Sequence, residues 1–225
     1  MKKTDGLKIT VTKNGPYLVS GDIPVADQHI VVNGEGESME WREGKQHPHT
    51  AQFALCRCGE SANKPFCDGS HKRVGFDGTE TASLEQYDAL AEVTEGPTMA
   101  LQDAESLCAF ARFCDPAGRV WNLVGETDSE KARKLVEHEA GHCPAGRLTA
   151  IDKKTGHKLE PHYEPSIGLV EDTARKVSGP LWVRGGIPIT GAEGQAYEVR
   201  NRITLCRCGR SSNKPYCDGS HAAGT

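Results

Sequence analysis

The strongest constraint on the fold is an internal repeat of a cysteine-rich segment. Residues 55–71 read LCRCGESANKPFCDGSH and residues 205–221 read LCRCGRSSNKPYCDGSH, so 14 of 17 positions are identical at a constant offset of 150. A second related pair lies upstream, GPYLVSGDIPV at 15–25 and GPLWVRGGIPI at 179–189, at an offset of 164. Two repeats are too few for a solenoid. We therefore expect two related units that pack about a pseudo-twofold axis, as homodimers pack about a true one.

Each copy of the repeat presents four potential metal ligands in the spacing C-x-C-x8-C-x3-H. They are Cys56, Cys58, Cys67 and His71 in the first copy and Cys206, Cys208, Cys217 and His221 in the second. Residues two apart on an extended segment point the same way, and residues four apart on a helical turn share a face. We therefore expect the first two cysteines of each copy to bind one metal ion, and the third cysteine to bind a second ion together with the histidine.

Two kinds of metal site are compatible with this ligand spacing. Three cysteines and one histidine are an accepted ligand set for structural zinc, in which the first pair is usually spaced C-x2–4-C. The tighter C-x-C spacing favours an iron–sulfur site over a zinc site. Buried and inert cysteines are a third possibility, which is disfavoured because four potential ligands recur at identical spacing.

Charge and composition exclude other classes of protein. The chain of 225 residues has a formal net charge of -4, so it lacks the basic footprint of a nucleic-acid binder. No segment approaches the roughly 18 apolar residues of a membrane span. Lys2 and Lys3 are followed by polar residues instead of the apolar run of a secretory signal. We expect a soluble, cytoplasmic protein whose nine cysteines are reduced thiols or metal ligands rather than disulfides.

The repeated run C-x-C-x2-S-x3-P-x-C-D-G-S-H resembles the CDGSH iron–sulfur domain family, which includes the mitochondrial NEET proteins. The matching positions besides the four ligands are Ser61, Pro65, Asp68, Gly69 and Ser70 in the first copy and Ser211, Pro215, Asp218, Gly219 and Ser220 in the second. The resemblance implies a [2Fe–2S] cluster held by three cysteines and one histidine in each copy. It also implies a β-rich fold in which two cluster domains exchange strands. Family members are commonly homodimers with one motif per chain, so two motifs imply a bacterial-type monomer that forms an intramolecular pseudo-dimer.

A different unit lies between the two copies, at residues 81–178. One helix is predicted to follow an N-cap at Asp103 and to carry Cys114, and a second is predicted from a capping box at Thr127 to a stop at Gly141. The apolar stripe of the second helix is Ala132, Leu135, Val136 and Ala140. Short strands are expected at 147–151, 157–160 and 167–171.

The segments that flank the repeated motifs have strand-like sequences at 17–25, 181–189 and 196–205. The first copy has 14 extra residues before its cysteines, which we place within 29–50, a stretch rich in Gly, Glu and His that is typical of a loop. We assign the chain to the α+β class. Its predicted domains are a first CDGSH domain at 1–80, a middle helix-plus-hairpin domain at 81–178 and a second CDGSH domain at 179–225.

The middle unit holds three further cysteines, Cys108, Cys114 and Cys143. The runs CAFARFC and HCPAGRLTAID resemble a divergent single-cluster ferredoxin lobe of the kind joined to CDGSH motifs in bacterial proteins. Cys108 and Cys114 are six residues apart, which places them about 240° apart around a straight helix, and no C-x2-C pair occurs. We therefore expect small buried core residues here, with a third cluster as the alternative.

The remaining candidates for functional side chains are weak. His138 and His142 are four residues apart beside Cys143 and suggest zinc, but we expect surface histidines because Gly141 is predicted to end the helix between them. The chain has no phosphate loop, nucleophile elbow or dinucleotide fingerprint. We expect no catalytic residues and no enzyme.

The predicted function follows from the mixed ligand set. Replacing one thiolate by a neutral imidazole makes a cluster less negative and should raise its reduction potential above that of plant-type ferredoxins. A protonated imidazole cannot bind a metal, so we expect the clusters to become labile below neutral pH through His71 and His221. One-electron transfer with a redox partner protein is the first hypothesis. The alternative is a carrier that donates clusters to an apo iron–sulfur acceptor, and binding to nucleic acid or membrane is not expected.

Overall fold

The computed structural model describes residues 6–223 and shows a β-rich chain with few helices. Within this range thirteen strands form three sheets. The strands are β1 (Lys8–Val11), β2 (Tyr17–Ser20), β3 (Val25–Val32), β4 (Ser38–Gln46), β5 (Gln52–Leu55), β6 (Glu92–Glu95), β7 (Met99–Asp103), β8 (Leu148–Asp152), β9 (Lys158–Leu159), β10 (Ser166–Asp172), β11 (Val177–Arg184), β12 (Ile189–Thr190) and β13 (Arg202–Leu205). The helices are α1 (Ser70–Arg73), α2 (Tyr87–Leu90), α3 (Val120–Val124) and α4 (Glu130–His142). This agrees with the expected α+β class, and no helix in residues 6–223 has the length and apolar run needed to span a bilayer.

The first two sheets each combine strands from both halves of the chain. The first sheet has the order β12-β1-β2-β5, and β12 lies parallel to β1 with Ile189 opposite Ile9. The second sheet has the order β13-β11-β10-β3-β4, and β3 lies parallel to β10 with Val25 opposite Ile167. Val25 and Ile189 are equivalent positions of the upstream repeat. Each copy of the repeat therefore contributes one strand to the sheet of the other copy.

The exchange of strands between the two copies begins at a repeated glycine. Gly21 and its equivalent Gly185 have φ of 100° and 75°, in the left-handed region that favours glycine. The strand-like segments predicted at 17–25 and 181–189 are therefore interrupted, and each chain turns away from its own hairpin. After the turn, the carbonyl oxygens of Pro24 and Pro188 accept backbone hydrogen bonds from the opposite copy, both at 2.9 Å. Of the strand predicted at 196–205, the last four residues form β13.

The inward faces of these two sheets share one hydrophobic core. Its central residues are Tyr17, Val19 and Leu55 and their repeat equivalents Leu181, Val183 and Leu205, all fully buried. The hydroxyl of Tyr17 donates a 2.7 Å hydrogen bond to the carbonyl oxygen of Cys206. A core residue of the first copy thus supports the metal-binding motif of the second.

The loop predicted within 29–50 is wrong, because most of this stretch forms a long hairpin of β3 and β4. Its turn is closed by the side chain of Asn33, whose Oδ1 accepts hydrogen bonds from the backbone of Glu35 and Glu37. The strand was missed because β4 lies at the edge of its sheet, where five of its nine residues are exposed and four of these are charged. A strand exposed to this extent lacks the apolar alternation that marks a half-buried strand.

The middle unit is built on the third sheet, in the order β6-β7-β8-β9, with α3 and α4 packed against it. The strands predicted at 147–151, 157–160 and 167–171 are confirmed as β8, β9 and β10, of which β10 belongs to the second sheet, and the predicted apolar stripe of α4 faces the core. The predicted capping box is wrong, because Thr127 is buried and its hydroxyl bonds to Val124, so the helix begins at Glu130. The predicted stop is also wrong, because Gly141 keeps helical geometry and α4 continues to His142.

The helix predicted after Asp103 does not form. Asp103 ends β7, and its carboxylate accepts hydrogen bonds from Arg147 and Trp121 instead of capping a helix. Only one 3-10 turn follows, and Phe110 and Arg112 then have φ of 57° and 63°. A right-handed helix cannot include these conformations, so residues 108–114 form an irregular loop.

Glu139 on α4 is a buried carboxyl group, and neither of its oxygens has a hydrogen-bond partner within residues 6–223. Burial, helped by the carboxylates of Asp115 and Glu37, raises the pKa of Glu139 to about 8. An unfolded chain releases this proton near pH 4.3, so the carboxyl group should destabilise the fold progressively as the pH rises from about 4 to 8. Glu139→Gln should therefore stabilise the protein by at least about 2 kcal/mol at pH 8 and by much less at pH 5. Thermal unfolding at both pH values measures this, and an equal effect at both would contradict a neutral buried carboxyl group.

Candidate metal centres

The first motif brings its four predicted ligands together in two pairs. The Sγ atoms of Cys56 and Cys58 lie 3.8 Å apart at the end of β5. The Sγ atom of Cys67 lies 3.4 Å from Nδ1 of His71, which is in α1. Two sulfurs bound tetrahedrally to one ion at about 2.3 Å lie about 3.8 Å apart, so the first pair is spaced to hold one metal ion and the second pair is spaced to hold another.

The second motif repeats this geometry after β13. The sulfurs of Cys206 and Cys208 are 3.8 Å apart, and Sγ of Cys217 is 3.4 Å from Nδ1 of His221. All of these cysteines are free thiols. The structure therefore brings together all eight side chains that the sequence selected, in the two-plus-two pairing expected for each copy.

A backbone bridge closes each motif. In the first copy the amide of Cys56 donates to Pro65 and the amide of Cys67 donates to Ala54, both at 2.8 Å. The equivalent bonds of the second copy are 2.9 and 3.0 Å. These bonds place the third cysteine beside the first pair, which the spacing of eight residues alone does not require.

The aspartate of the first motif orders the loop that carries the histidine. The carboxylate of Asp68 accepts hydrogen bonds from the backbone amides of Ser70 at 2.9 Å and Ala62 at 2.8 Å. Together with the side chain of Ser70, these bonds hold the pKa of Asp68 well below its usual range. Helix α1 begins at Ser70, directly after Gly69, and carries His71 in its first turn. In the second copy the residues after Asp218 form a turn instead.

Three cysteines of the middle unit also converge. Cys108, Cys114 and Cys143 line one narrow cavity with Arg147. Burial, followed by the neighbouring sulfur of Cys143, raises the pKa of Cys114 to about 12. The separation of 240° expected for Cys108 and Cys114 does not apply, because the segment between them is a loop rather than a helix.

Two family models match the chain over these sites. The model described as "Iron-binding zinc finger CDGSH type" matches residues 14–72 and 178–222, which contain the two sets of three cysteines and one histidine. The model described as "Divergent 4Fe-4S mono-cluster" matches residues 94–153, which contain the three middle cysteines. The chain contains two regions of the CDGSH iron–sulfur domain family. No curated protein matches it.

The two CDGSH sites touch each other through their Cys-x-Cys loops. A Cβ added at Gly59 would lie 2.8 Å from the carbonyl oxygen of Cys208, and one added at Gly209 would lie 2.6 Å from that of Cys58. Both glycines also have positive φ, 83° and 78°. No other residue type fits this contact without displacing the opposite loop. Sequence analysis singled out neither glycine, although both recur in the repeat immediately after the ligand pair.

The second CDGSH site also contacts the middle unit. A Cβ added at Gly219 would lie 3.2 Å from Cβ of Phe110 and 3.5 Å from the carbonyl oxygen of Cys108. The loop that carries Cys108 therefore covers the second site, and His221 is only 8% exposed, whereas His71 is half-buried. The three groups of cysteines form a continuous series in which the second CDGSH site is in the middle.

The charges beside the two CDGSH sites differ. Glu60 follows the ligand pair of the first copy, and Arg210 occupies the same position in the second. A hydrogen bond from the Cys206 thiol, together with the backbone and guanidinium of Arg210, lowers the pKa of Cys208 to about 5. Burial raises the pKa of the equivalent Cys58. A positive charge therefore follows the ligand pair of the second site, where the first site has a negative charge.

The residue between the paired cysteines is an arginine in both copies, which sequence analysis did not single out. Arg57 is fully buried and donates to the carbonyl oxygens of Thr12 at 3.2 Å and Gly78 at 2.7 Å. Arg207 likewise bonds to backbone carbonyls and to Glu171. Each guanidinium links its ligand loop to other segments of the fold.

The contact between the loops predicts that one methyl group added at either glycine greatly reduces the free energy of unfolding. Gly209→Ala should destabilise the protein by more than about 2 kcal/mol, because it adds a backbone clash to the strain of positive φ. Gly194→Ala is the matched control, since Gly194 has φ of 87° and no atom within 4 Å of an added Cβ. Thermal unfolding and iron content of both variants test this. Equal stability of the two variants would show that the loops are not in contact.

Proposed function

We propose that this protein transfers single electrons through two [2Fe–2S] clusters, and that this pair of clusters is its working unit. A bound [2Fe–2S] cluster supplies reversible one-electron chemistry. The donor atoms fit such a cluster because two pairs in each motif are spaced for two metal ions. The proposed ligands are Cys56, Cys58, Cys67 and His71 in one site and Cys206, Cys208, Cys217 and His221 in the other.

The observation that carries this proposal is the contact between the two Cys-x-Cys loops. The backbone of Gly59 meets Cys208 and that of Gly209 meets Cys58, so ligand residues of the two sites are neighbours. Electron exchange between two centres requires such proximity, whereas release of a cluster does not. The mutual contribution of β3 and β12 also supports an intramolecular pseudo-dimer, which would bring two sites together in a monomer.

A redox titration of the cluster-loaded protein tests this function. We expect both clusters to be reduced and reoxidised repeatedly with iron and sulfide retained, and the two reduced clusters to show magnetic coupling by electron paramagnetic resonance. Gly194→Ala should preserve this coupling. Loss of iron on each reduction cycle would argue against electron transfer as the function.

Cluster donation is the second candidate, and the exposure of the first site favours it. Cys67 and His71 are partly exposed, while their counterparts Cys217 and His221 are buried. A donor would therefore release the first cluster. Transfer to an apo-ferredoxin should be abolished by His71→Cys and unaffected by His221→Cys, if donation occurs.

We also propose a third iron–sulfur centre at Cys108, Cys114 and Cys143. The match to a mono-cluster model and the convergence of the three thiols in one cavity support it. Arg147, which is ion-paired with Asp103, lies in the same cavity. Cys114→Ser should lower the iron content per chain without changing the content of the CDGSH sites. An unchanged iron content would leave the middle cysteines as core residues.

The remaining expectations concern partners and location. We infer a redox partner protein or an apo iron–sulfur acceptor and no nucleic acid or membrane, in keeping with the net charge of -4. We infer a cytoplasmic monomer that is not itself a catalyst. Size-exclusion chromatography with light scattering tests the monomer directly.

A further inference from the structure

Three polar side chains meet where α4 crosses β4, away from the cysteine sites of the two CDGSH motifs. His138 and His142 lie one turn apart on α4, and Glu40 extends from β4, about 100 residues away in sequence. Nε2 of His142 is 3.1 Å from Oε2 of Glu40, and Nε2 of His138 is 3.9 Å from Oε1. The two imidazole rings stack with their centres 3.9 Å apart. The extension of α4 through Gly141 is what places both histidines on one face.

The orientation of the His142 ring leaves one nitrogen facing a carboxylate. Nδ1 of His142 lies 2.8 Å from the carbonyl oxygen of His138, which can only accept a hydrogen bond. Nδ1 therefore carries the hydrogen, and in a neutral ring Nε2 presents a lone pair to Glu40. Two acceptors at 3.1 Å need either a proton or a metal cation between them. A histidine whose Nδ1 donates to a carbonyl and whose Nε2 is free has the arrangement found in metal-binding histidines.

The other polar contacts place further oxygen atoms at the same point. Nε2 of His138 lies 3.1 Å from the carbonyl oxygen of Met39, the residue before Glu40, so without a cation it donates its hydrogen to that oxygen, and binding a cation would move the hydrogen to Nδ1. One cation at this position would be shared by two imidazoles and a carboxylate, with a backbone carbonyl beside them. The cavity of about 390 Å³ that the two histidines line is also lined by Glu137, Glu160 and Lys158, so it is open to solvent ions on a polar surface.

The surrounding packing holds this arrangement in place. The side chains of His142 and His138 are only 24% and 37% exposed. Phe113 stacks against the His142 ring at 5.5 Å between centres, and the indole N–H of Trp41 donates to the carbonyl oxygen of His142 at 3.1 Å. Ligands fixed before binding lose less conformational freedom when the metal enters.

We propose that His138, His142 and Glu40 form a binding site for one divalent transition metal, with zinc as the preferred ion. Two imidazoles and one carboxylate are an established protein ligand set for zinc that leaves a further coordination position open. The ion would clamp α4 of the middle unit to β4, the edge strand that the first CDGSH region adds to the second sheet. The site is separate from the electron-transfer proposal and does not depend on it. It replaces the expectation that these histidines are unconnected surface residues.

Zinc titration of the cluster-loaded protein tests this site. We expect one zinc ion per chain by calorimetry and by metal analysis after gel filtration, with the iron content unchanged. Affinity should fall at least tenfold in His138→Gln and in His142→Gln. His162→Gln is the control, because His162 is 84% exposed and pairs only with Glu164. Equal binding by the double variant His138→Gln/His142→Gln would overturn the proposal.

X-ray absorption at the zinc edge provides a second test that does not depend on the variants. The cysteines compete for zinc wherever a cluster is missing, and such binding would appear as a sulfur shell. We expect a shell of nitrogen and oxygen only, at about 2.0 to 2.1 Å. A sulfur shell, or no retained zinc, would overturn the proposal.

Discussion

Glu60→Arg should raise the reduction potential of the first CDGSH cluster by on the order of 50 to 100 mV, and Arg210→Glu should lower that of the second by a similar amount. The two residues occupy the same position of the repeat, directly after the ligand loop. A unit charge about 7 Å away contributes about 1 kcal/mol at an effective dielectric constant near 40. This corresponds to roughly 45 mV for one electron, and each substitution reverses one charge.

The wild-type protein should accordingly show two separate reduction potentials, with the second site reduced first. The hydrogen bond from Cys206 and then the charge of Arg210 lower the pKa of Cys208, so Arg210 favours negative charge at this sulfur. Reduction of the second cluster adds one negative charge at the same site. Glu35→Arg is a suitable control, because Glu35 lies in the exposed turn between β3 and β4. Potentials that respond equally to Glu35→Arg and Glu60→Arg would show that only the net charge matters.

Acidification should remove the first cluster well before the second, giving two phases in the loss of visible absorbance. The ligand His71 is partly exposed, so protons and solvent reach it directly. The loop at Phe110 covers His221, and burial together with Arg207 and Arg210 lowers the pKa of His221 to about 4. A histidine with a lowered pKa stays neutral and able to bind metal to a lower pH. The second phase should therefore require a lower pH than the first.

Histidine-to-cysteine substitutions assign these two phases. His71→Cys should abolish the faster phase and leave the slower one, and His221→Cys should affect only the slower one. Iron released at each pH, measured with a chelator, gives the same information without relying on absorbance. A single phase that both substitutions slow equally would contradict the difference in burial between the two sites.

The ligands of the CDGSH sites are predictable from sequence because their geometry is local. Cys56 and Cys58 are neighbours on one extended segment, and Cys67 and His71 lie within one turn, so spacing alone determines each pair. The repeat also indicates two related units. Neither observation predicts which strands pair, because the exchange of β3 and β12 depends on where the chain turns at Gly21 and Gly185. The contact between Gly59 and Gly209 is likewise a consequence of tertiary packing.

The middle unit shows where local patterns mislead. Leu107, Phe110, Ala111 and Cys114 have helical spacing, yet Phe110 and Arg112 have positive φ, and the expected cap, Asp103, forms an ion pair with Arg147. The conformation of this segment is determined by tertiary contacts, which the local sequence pattern does not contain. Local sequence pattern also fails for β4, because its charged residues at the sheet edge lack the apolar pattern of a strand. Convergence of Cys108 and Cys114 could not be inferred while a helix was assumed between them.

Iron and acid-labile sulfide per chain, measured together with the visible spectrum on anaerobically purified protein, test most directly whether the two CDGSH motifs hold iron–sulfur clusters. We predict a coloured protein with about four irons and four sulfides from the CDGSH sites, with additional iron if the middle cysteines bind a cluster. Cys56→Ser and Cys206→Ser should each remove about two irons. A colourless protein that contains zinc and no sulfide would contradict the assignment, because the same three cysteines and one histidine would then form structural zinc sites.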